Sequence, residues 1–360
     1  MRSFAIILAA ATLLGVNSAH ALTVSDEAAV EPVRNVVAGF IQPAFERFDE
    51  SAELAGVAVN SLCEEPAKRT LESARQAFRD SALAFARIEF LRTGPLARDN
   101  RLERLLFWPD RRGIALRQVQ AAIATGDESV TDAANLPAKS VALQGYTALE
   151  YLLFGTGSDK LAGAGSSHRC GFAAAVAENI HAIAKALDAE WHDKNGYAAV
   201  WSAPGPDNET FRSVEETVGE LVSLPSEAFE IIRDQRLKPI LPDDGKPKPK
   251  LALFWRSGLT MAFTQSSFEA LRTYFKASGL AGVLPEDERW QARSIEFEFN
   301  NAGDALSRLQ MPIEDVLANE DRVSDLKYLM ILSQSLQRLF GEQITATLGL
   351  SVGFSSLDGD

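Results

Sequence analysis

The chain has 360 residues, 46% of them hydrophobic and 24% charged, and a formal net charge of -13 at pH 7. This length suits one large domain or two medium ones, each able to bury its own core. The acidic balance argues against nucleic acids and anionic membrane surfaces as partners, and it is compatible with the attraction of cations.

Residues 1–21 have the pattern of a secretory signal peptide. Arg2 gives the positive start, an apolar run follows from Phe4 to Val16, and Ala19-His20-Ala21 gives small residues at a cleavage site. The apolar run is too short to anchor the chain across a bilayer, and no cysteine follows the cleavage site to carry a lipid. We therefore expect an exported, periplasmic protein that begins at Leu22 and has no transmembrane segment.

Apolar residues recur at helical spacing along the rest of the chain, and no strand-like alternation is present. We therefore predict an all-α fold built from antiparallel bundles. Loops are predicted at the glycine-rich segment 155–165 and the proline-rich segment 239–250. The predicted helices, in chain order, are Asp26–Ala55 with a possible kink at Pro43, Glu64–Ile88, Asn100–Phe107, Ile114–Ala124, Lys139–Phe154, a helix opening at His168, Phe211–Leu237 with a break near Pro225, Leu251–Phe275, Pro285–Leu309 and Ile313–Leu348.

The chain has only two cysteines, Cys63 and Cys170. An isolated pair in an exported protein favours a disulfide bond, because the compartment is oxidising. The alternative is two unpaired buried thiols. A bridge between them closes a loop of about a hundred residues, and in the chain-entropy model that stabilises the fold by about 4–5 kcal/mol.

The predicted helix that ends at Phe154 is unusually apolar, and Glu150 is the one formal charge between Lys139 and Asp159. An isolated buried carboxylate costs several kcal/mol, so it must be paired, protonated or bound to something. One interpretation is a salt bridge to an arginine of another helix. The other is a ligand or metal site, because perturbed carboxylates cluster at functional sites.

Four short motifs give the chain a resemblance to the imelysin family. The sequence Gly145-x-Thr147-x-x-Glu150 resembles the family's Gly-x-His-x-x-Glu motif, with threonine in place of histidine. The segments 89–95 (EFLRTGP) and 108–110 (WPD) are similar to two further family segments, although the acid at Asp110 stands one position early. The segment 254–258 (FWRSG) resembles one in a lipoprotein-like subgroup, and together the motifs span most of the mature chain.

The resemblance implies a pair of pseudo-symmetric helical bundles, which we assign to residues 22–163 and 164–360. It also implies a periplasmic or lipid-anchored protein linked to iron uptake. The first-described member of the family was reported as a peptidase.

Glu89 and Glu150 are candidates for one acidic site, since each ends a helical stretch near a Gly or Pro turn. The alternative is a buried ion network that holds the helices in register, with Arg87, Arg92 and Arg256 as counter-charges. Both interpretations can hold. The full set of candidate ligand-binding residues is Glu150, Thr147, Gly145, Glu89, Arg92, Asp110, Trp108 and Arg256, with Glu150 and Glu89 as metal ligands.

Thr147 changes what such a site can bind. A His/Glu pair suits zinc or ferrous iron, whereas a neutral hydroxyl is a poor ligand. A site built from Glu150, Glu89 and Asp110 offers only oxygen, which favours calcium, magnesium or ferric iron, or no metal at all. The identity of the cofactor is therefore open, and the candidates are iron or another divalent or trivalent cation.

Familiar catalytic signatures are missing: there is no His-Glu-x-x-His motif, no Gly-x-Ser-x-Gly motif and no phosphate loop. The histidines after the signal peptide are His168, His181 and His192. The last two lie about 16 Å apart along a helix, too far to share one metal. We interpret all three as surface or capping residues.

The favoured interpretation is a non-enzymatic imelysin-like protein that binds a metal or small ligand between helical bundles and acts in iron uptake. A membrane-bound uptake component is the expected partner, and nucleic acid is not. One alternative is a metallopeptidase, which the absence of the motif histidine disfavours. Another is a structural or adhesion scaffold whose acidic network only supports the fold.

Overall fold

The computed structural model describes residues 22, 25–110, 112–163, 165–242 and 246–350, and the predicted signal peptide lies outside them. Every regular element in these residues is helical, and none of them is in a β-strand. The all-α prediction is confirmed, while the pseudo-symmetry of two bundles stays a prediction.

Nine α-helices occupy the described chain up to Ser202. They are α1 (Asp26–Val36), α2 (Gln42–Glu64), α3 (Lys68–Ala86), α4 (Gly94–Ala97), α5 (Arg101–Leu105), α6 (Ile114–Thr125), α7 (Gly145–Phe154), α8 (Ser167–His192) and α9 (Tyr197–Ser202). A π-helical turn, Val37–Ile41, joins α1 to α2. Short 3-10 turns lie at Arg98–Asn100, Glu128–Val130, Ala133–Ala138, Val141–Leu143 and Ser158–Ala162.

The remaining described chain contributes seven α-helices. They are α10 (Val214–Glu230), α11 (Thr260–Ser278), α12 (Leu280–Val283), α13 (Trp290–Arg308), α14 (Ile313–Ala318), α15 (Glu320–Arg338) and α16 (Thr345–Leu348). Two further π-helical segments, Ile231–Leu237 and Leu339–Ile344, follow α10 and α15 directly, and 3-10 turns lie at Pro249–Leu251 and Glu286–Glu288.

The π-helical turn between α1 and α2 lies just before Pro43. Proline has no backbone N–H and cannot donate to the carbonyl four residues earlier, so a regular α-helical ladder is interrupted there. The backbone N–H of Gln42 bonds instead to the carbonyl of Val37, five residues back. The helix therefore continues past Pro43 and extends to Glu64, beyond its predicted end at Ala55.

The predicted break near Pro225 is wrong, because α10 passes through this residue. Pro225 leaves the carbonyl of Leu221, one turn earlier, without its helical donor. The buried hydroxyl of Tyr274 in α11 donates to that carbonyl at 3.0 Å. A side chain from another helix thus replaces the missing hydrogen bond.

The predicted helix Leu251–Phe275 is also wrong at its start, because α11 begins only at Thr260. Phe254 and Gly258 have φ angles of 59° and 72°, which a right-handed helix does not accommodate. Residues 252–259 form a turn instead, and this turn contributes to the candidate site.

The packing of α8 bears on the predicted division at residue 163. This helix packs along α2 and against α7, both of which belong to the segment 22–163. The predicted disulfide is present, and Cys63–Cys170 joins the end of α2 to the first turn of α8 with 5.5 Å between the Cα atoms. The division stays a prediction, but these contacts favour grouping α8 with the N-terminal helices.

Candidate functional site

Helix α7 carries the central motif and begins at Gly145. The φ angle of Gly145 is 71°, which favours glycine. A Cβ atom at this position would overlap the carbonyl oxygens of Arg104 and Leu105 in α5. The glycine of the motif therefore lets α5 and α7 approach closely, and its described contacts are with backbone atoms of α5.

Glu150 lies in the last turns of α7 and is only 4% exposed. Its Oε1 atom accepts hydrogen bonds from the backbone N–H of Ser257 at 2.9 Å and from the Ser257 hydroxyl at 2.8 Å. Glu150 forms no salt bridge within the described residues, so the interpretation as a buried ion pair with an arginine does not describe how it is held. Ser257 holds it instead, and the backbone N–H of Arg256 also favours the ionised carboxyl.

The electrostatic environment of Glu150 opposes its ionisation. Burial raises the pKa of the Glu150 carboxyl above its ordinary value of 4.5. The hydrogen bonds from Ser257 and the positive charge of Arg256 act in the opposite direction and are weaker than the effect of burial. The carboxyl is thus less acidic than one exposed to solvent.

The turn that presents Ser257 is fixed by its own hydrogen bonds. The backbone N–H of Leu259 donates to the carbonyl of Phe254 at 3.0 Å, and the hydroxyl of Thr260 donates to the carbonyl of Leu253 at 2.7 Å. Phe254 is buried and adopts a left-handed backbone conformation, which is unusual for an aromatic residue. Such strain occurs preferentially at functional sites.

A cavity of about 220 Å³ opens beside Glu150. Its walls come from three separate segments: Trp108 to the first turns of α6, the face of α7 at 147–151, and residues 250–256. The indole Nε1 of Trp108 and the hydroxyl of Thr147 are buried, and neither has a hydrogen-bond partner among the described residues. Two unsatisfied polar atoms therefore lie on side chains that line one cavity.

Asp110 also lines this cavity but is engaged by the protein. One of its carboxylate oxygens accepts the backbone N–H of Ile114 at 2.7 Å, and the other accepts that of Ala115 at 2.9 Å. Asp110 therefore caps the start of α6, where a negative charge is favourable.

Two cationic side chains border the cavity on the side of the 250–256 segment. The guanidinium of Arg256 lies over the rings of Trp255 and Tyr151, at 4.4 Å and 5.4 Å from their centroids. The ammonium of Lys250 lies 5.8 Å from the centroid of Trp255. Neither cation forms a salt bridge with a carboxylate in the described part of the chain.

Glu89 is not in this cavity. It forms a salt bridge with Arg236 of the π-helical segment Ile231–Leu237, and each side chain is 5% exposed. Glu89 and Arg92 line a separate cavity of about 10 Å³, close to the smallest space that holds one water molecule. Burial lowers the pKa of Arg92, and the negative charge of Glu89 opposes that shift.

The structure brings together five of the predicted site residues and leaves three elsewhere. Those that line the cavity are Trp108, Asp110, Thr147, Glu150 and Arg256. Gly145, Glu89 and Arg92 are not among its lining residues, so Glu89 and Glu150 do not form one acidic site. Within the described residues, no group of three or more His, Cys, Asp or Glu side chains is arranged to hold a metal ion.

Three residues that contact Glu150, Glu89 or the cavity were not predicted as site residues from the sequence. Ser257 belongs to the segment 254–258 (FWRSG), and its resemblance to a family motif is the available signal for it. Lys250 ends a proline-rich loop and carries no local signal of a site. Arg236 was not among the proposed counter-charges for Glu89, because its role depends on helices that meet only in the fold.

The histidines lie apart from the cavity. His168 contacts the backbone carbonyl of Asp127, and His181 and His192 contact Asp49 and Asp188. In the described part of the chain, no helix has the length and apolar character that a bilayer span requires.

Comparison with known proteins gives a consistent result. The family model for imelysin matches residues 41–339. An imelysin-like protein from Psychrobacter arcticum has a similar structure, with a TM-score of 0.76, 20% identity, and coverage of 93% of this chain and 99% of that one. A structure named for an iron-regulated protein A precursor from Parabacteroides distasonis has a TM-score of 0.71, 14% identity, and coverage of 88% and 96%. No curated protein matches the chain.

Proposed function

Because this chain belongs to the imelysin family, we propose that it is an exported protein that binds a small ligand in the cavity at Thr147 and Glu150. Its role is in the uptake of iron or a related nutrient, and a membrane-bound uptake component receives the ligand. The uptake role is supported by the family and by the name of the P. distasonis protein, and no residue of the cavity argues for it.

The observation that carries the proposal is a cavity whose lining includes two side chains with unsatisfied polar atoms. Buried polar groups in folded proteins almost always have a hydrogen-bond partner, and an exception calls for an explanation. Trp108 Nε1 and the Thr147 hydroxyl lack one among the described residues, and both side chains line a cavity beside Glu150. A polar ligand completes these hydrogen bonds once the two side chains turn toward the cavity, because the atoms themselves are covered in this structure.

The alternative function is a metallopeptidase, because the first-described member of the imelysin family was reported as a peptidase. That reaction needs a metal held by several side chains with one position open to water. Here Asp110 caps α6, Glu150 is bound to Ser257, and threonine replaces the motif histidine. These features favour binding without hydrolysis. A chelator-sensitive peptidase activity would support the alternative.

The test begins with protein purified from the exported fraction. Native mass spectrometry and elemental analysis identify any bound molecule or metal. Thermal melting is then measured with a panel of metal ions and small organic ligands. We expect at least one of them to raise the melting temperature, because a ligand that binds only the folded state stabilises it. No effect from any ligand would support a purely structural protein.

A matched pair of variants assigns the effect to this cavity. Leu116→Trp narrows the cavity from a half-buried position in α6, and Leu54→Trp makes the same change at a position of α2 that is 65% exposed. Ligand-dependent stabilisation should be lost in the first variant and kept in the second. Equal stabilisation in both variants would place the ligand elsewhere.

A further inference from the structure

We infer that the cavity takes an anionic small molecule, one that carries a carboxylate or phosphate group, rather than a bare metal cation. This inference rests on the proposed function, because it names the class of ligand for the same cavity.

The acidic groups that line the cavity, Asp110 and Glu150, are too few to hold a cation by themselves. Each oxygen of Asp110 accepts a backbone N–H from the start of α6. Glu150 accepts two hydrogen bonds from Ser257 on one oxygen. A hard cation needs about six to eight oxygen ligands, and two carboxylates with no third His, Cys, Asp or Glu beside them in the described residues supply too few.

The polar atoms that lack hydrogen-bond partners favour a ligand that accepts hydrogen bonds. The indole N–H of Trp108 is a donor only, so its partner must carry a lone pair. A metal cation cannot fill that role. The Thr147 hydroxyl is able to donate as well. Both lining side chains can therefore donate to an acceptor such as an anionic oxygen once they turn toward the cavity.

The cations that border the cavity point to the same class of ligand. Arg256 and Lys250 lie over aromatic rings and form no salt bridge with the described carboxylates. A guanidinium that is stacked by its face keeps its N–H groups at the edge, where they bind carboxylate or phosphate oxygens with two parallel hydrogen bonds. Positive charge that is in no salt bridge with a described carboxylate is thus available at the cavity.

The size of the cavity limits the ligand. Its volume of about 220 Å³ is below the range of about 300–1,000 Å³ that is typical of drug-sized ligands. A compact anion fits this space, such as inorganic phosphate or a short dicarboxylate. A polymer or a large cofactor does not.

The experiment is calorimetric titration at low ionic strength, with inorganic phosphate and malonate as anionic probes and with the chlorides of calcium, zinc and ferric iron as cationic probes. Wild type should bind at least one anion. Arg256→Gln should weaken that binding by about tenfold or more, because charge-assisted hydrogen bonds are the strong ones. Lys250→Met should weaken it by about threefold, since an exposed charge contributes less.

Two control variants carry the same charge changes away from the cavity. Arg79 lies over the ring of Phe154, outside the lining of the cavity, and Lys248 is an exposed lysine two residues before Lys250. Arg79→Gln and Lys248→Met should leave the anion affinity unchanged. Lys250→Met replaces an exposed side chain and keeps the test valid if Arg256→Gln fails to fold.

The outcomes distinguish a failure of the anion inference from a failure of the proposed function. If no anion binds wild type, or if the controls weaken binding as much as the cavity variants do, the inference is overturned. If a cation binds instead, and Leu116→Trp abolishes that binding, the cavity is still a ligand site and only the class of ligand is wrong.

Discussion

At the scale of single residues, Glu150 shows how a buried carboxyl is held without an opposite charge in contact. Both hydrogen bonds from Ser257 reach the same oxygen, Oε1. A glutamine at this position can present an amide oxygen in the same place. The substitution therefore removes the charge and keeps the hydrogen bonds.

We predict that Glu150→Gln melts at the same or a higher temperature than wild type at neutral pH. Because burial raises the folded pKa of Glu150 above 4.5, folding takes up a proton between the unfolded and folded pKa values. The contribution of Glu150 to stability is greatest below the unfolded pKa and is lost as the pH rises through the folded pKa. The advantage of the variant should therefore shrink as the pH falls toward 4.5.

Thermal melting of both proteins across this pH range tests the prediction, with the exposed Glu31→Gln in α1 as the control. A loss of about 3–5 kcal/mol at neutral pH would show instead that Glu150 neutralises a buried cation.

The departure of Thr147 from the family motif leads to a second prediction. Thr147→His places an imidazole one turn before Glu150 on the same face of α7, a spacing at which two side chains can share one ion. Zinc affinity, measured by calorimetry, should rise above that of wild type. The double variant Thr147→His/Glu150→Gln should lose the gain. An unchanged affinity in a folded protein would mean that α7 does not present these two positions to one ion.

At the scale of elements, the salt bridge between Glu89 and Arg236 joins the segment after α3 to the π-helical segment after α10. Removing one member of a buried pair leaves an uncompensated charge. We predict that Arg236→Met lowers the free energy of unfolding by about 3–5 kcal/mol. Glu89→Met/Arg236→Met should recover part of the loss.

Urea denaturation measures these changes. Lys238→Met is the control, because Lys238 follows the same π-helical segment and its side chain is 55% exposed. An equal effect of Lys238→Met and Arg236→Met would argue against a specific contribution of the buried pair.

The disulfide acts at the same scale, because it joins the end of α2 to the start of α8 across 107 residues of sequence. The chain-entropy model gives about 4–5 kcal/mol for a loop of this length. We predict that Cys63→Ser/Cys170→Ser lowers the urea midpoint accordingly and that wild type has no titratable thiol when it is denatured without reductant. Reductant should lower the midpoint of wild type and leave that of the double variant unchanged. Two free thiols in wild type would refute the bond.

At the scale of the whole molecule, the buried apolar residues form one continuous core from Ala29 to Leu350. Helix α11 packs against α1 and α3, so the two halves of the chain share this core. We predict a single calorimetric unfolding transition whose calorimetric and van't Hoff enthalpies agree. Two resolved transitions would instead support two independently stable units near the predicted division at residue 163.

Local pattern alone was enough to predict much of this protein. Helical periodicity predicts an all-α chain, the isolated cysteine pair predicts the bond between Cys63 and Cys170, and the lone charge of an apolar helix identifies Glu150. These features can be predicted from the sequence because each depends only on neighbouring residues in the chain or on a count of residues. The resemblance to the imelysin family added further candidates, and five of the eight candidate site residues line one cavity.

What the tertiary structure decided depends on residues that are distant in sequence. Ser257 binds Glu150 across 107 positions and Arg236 binds Glu89 across 147, while Tyr274 completes a helix that Pro225 was expected to break. A charged or polar side chain can be satisfied by any suitable group that packing brings near it, and the identity of that group is not encoded in the local pattern. The sequence by itself therefore determined which groups need partners, and only the packing of the helices decided which partners they have.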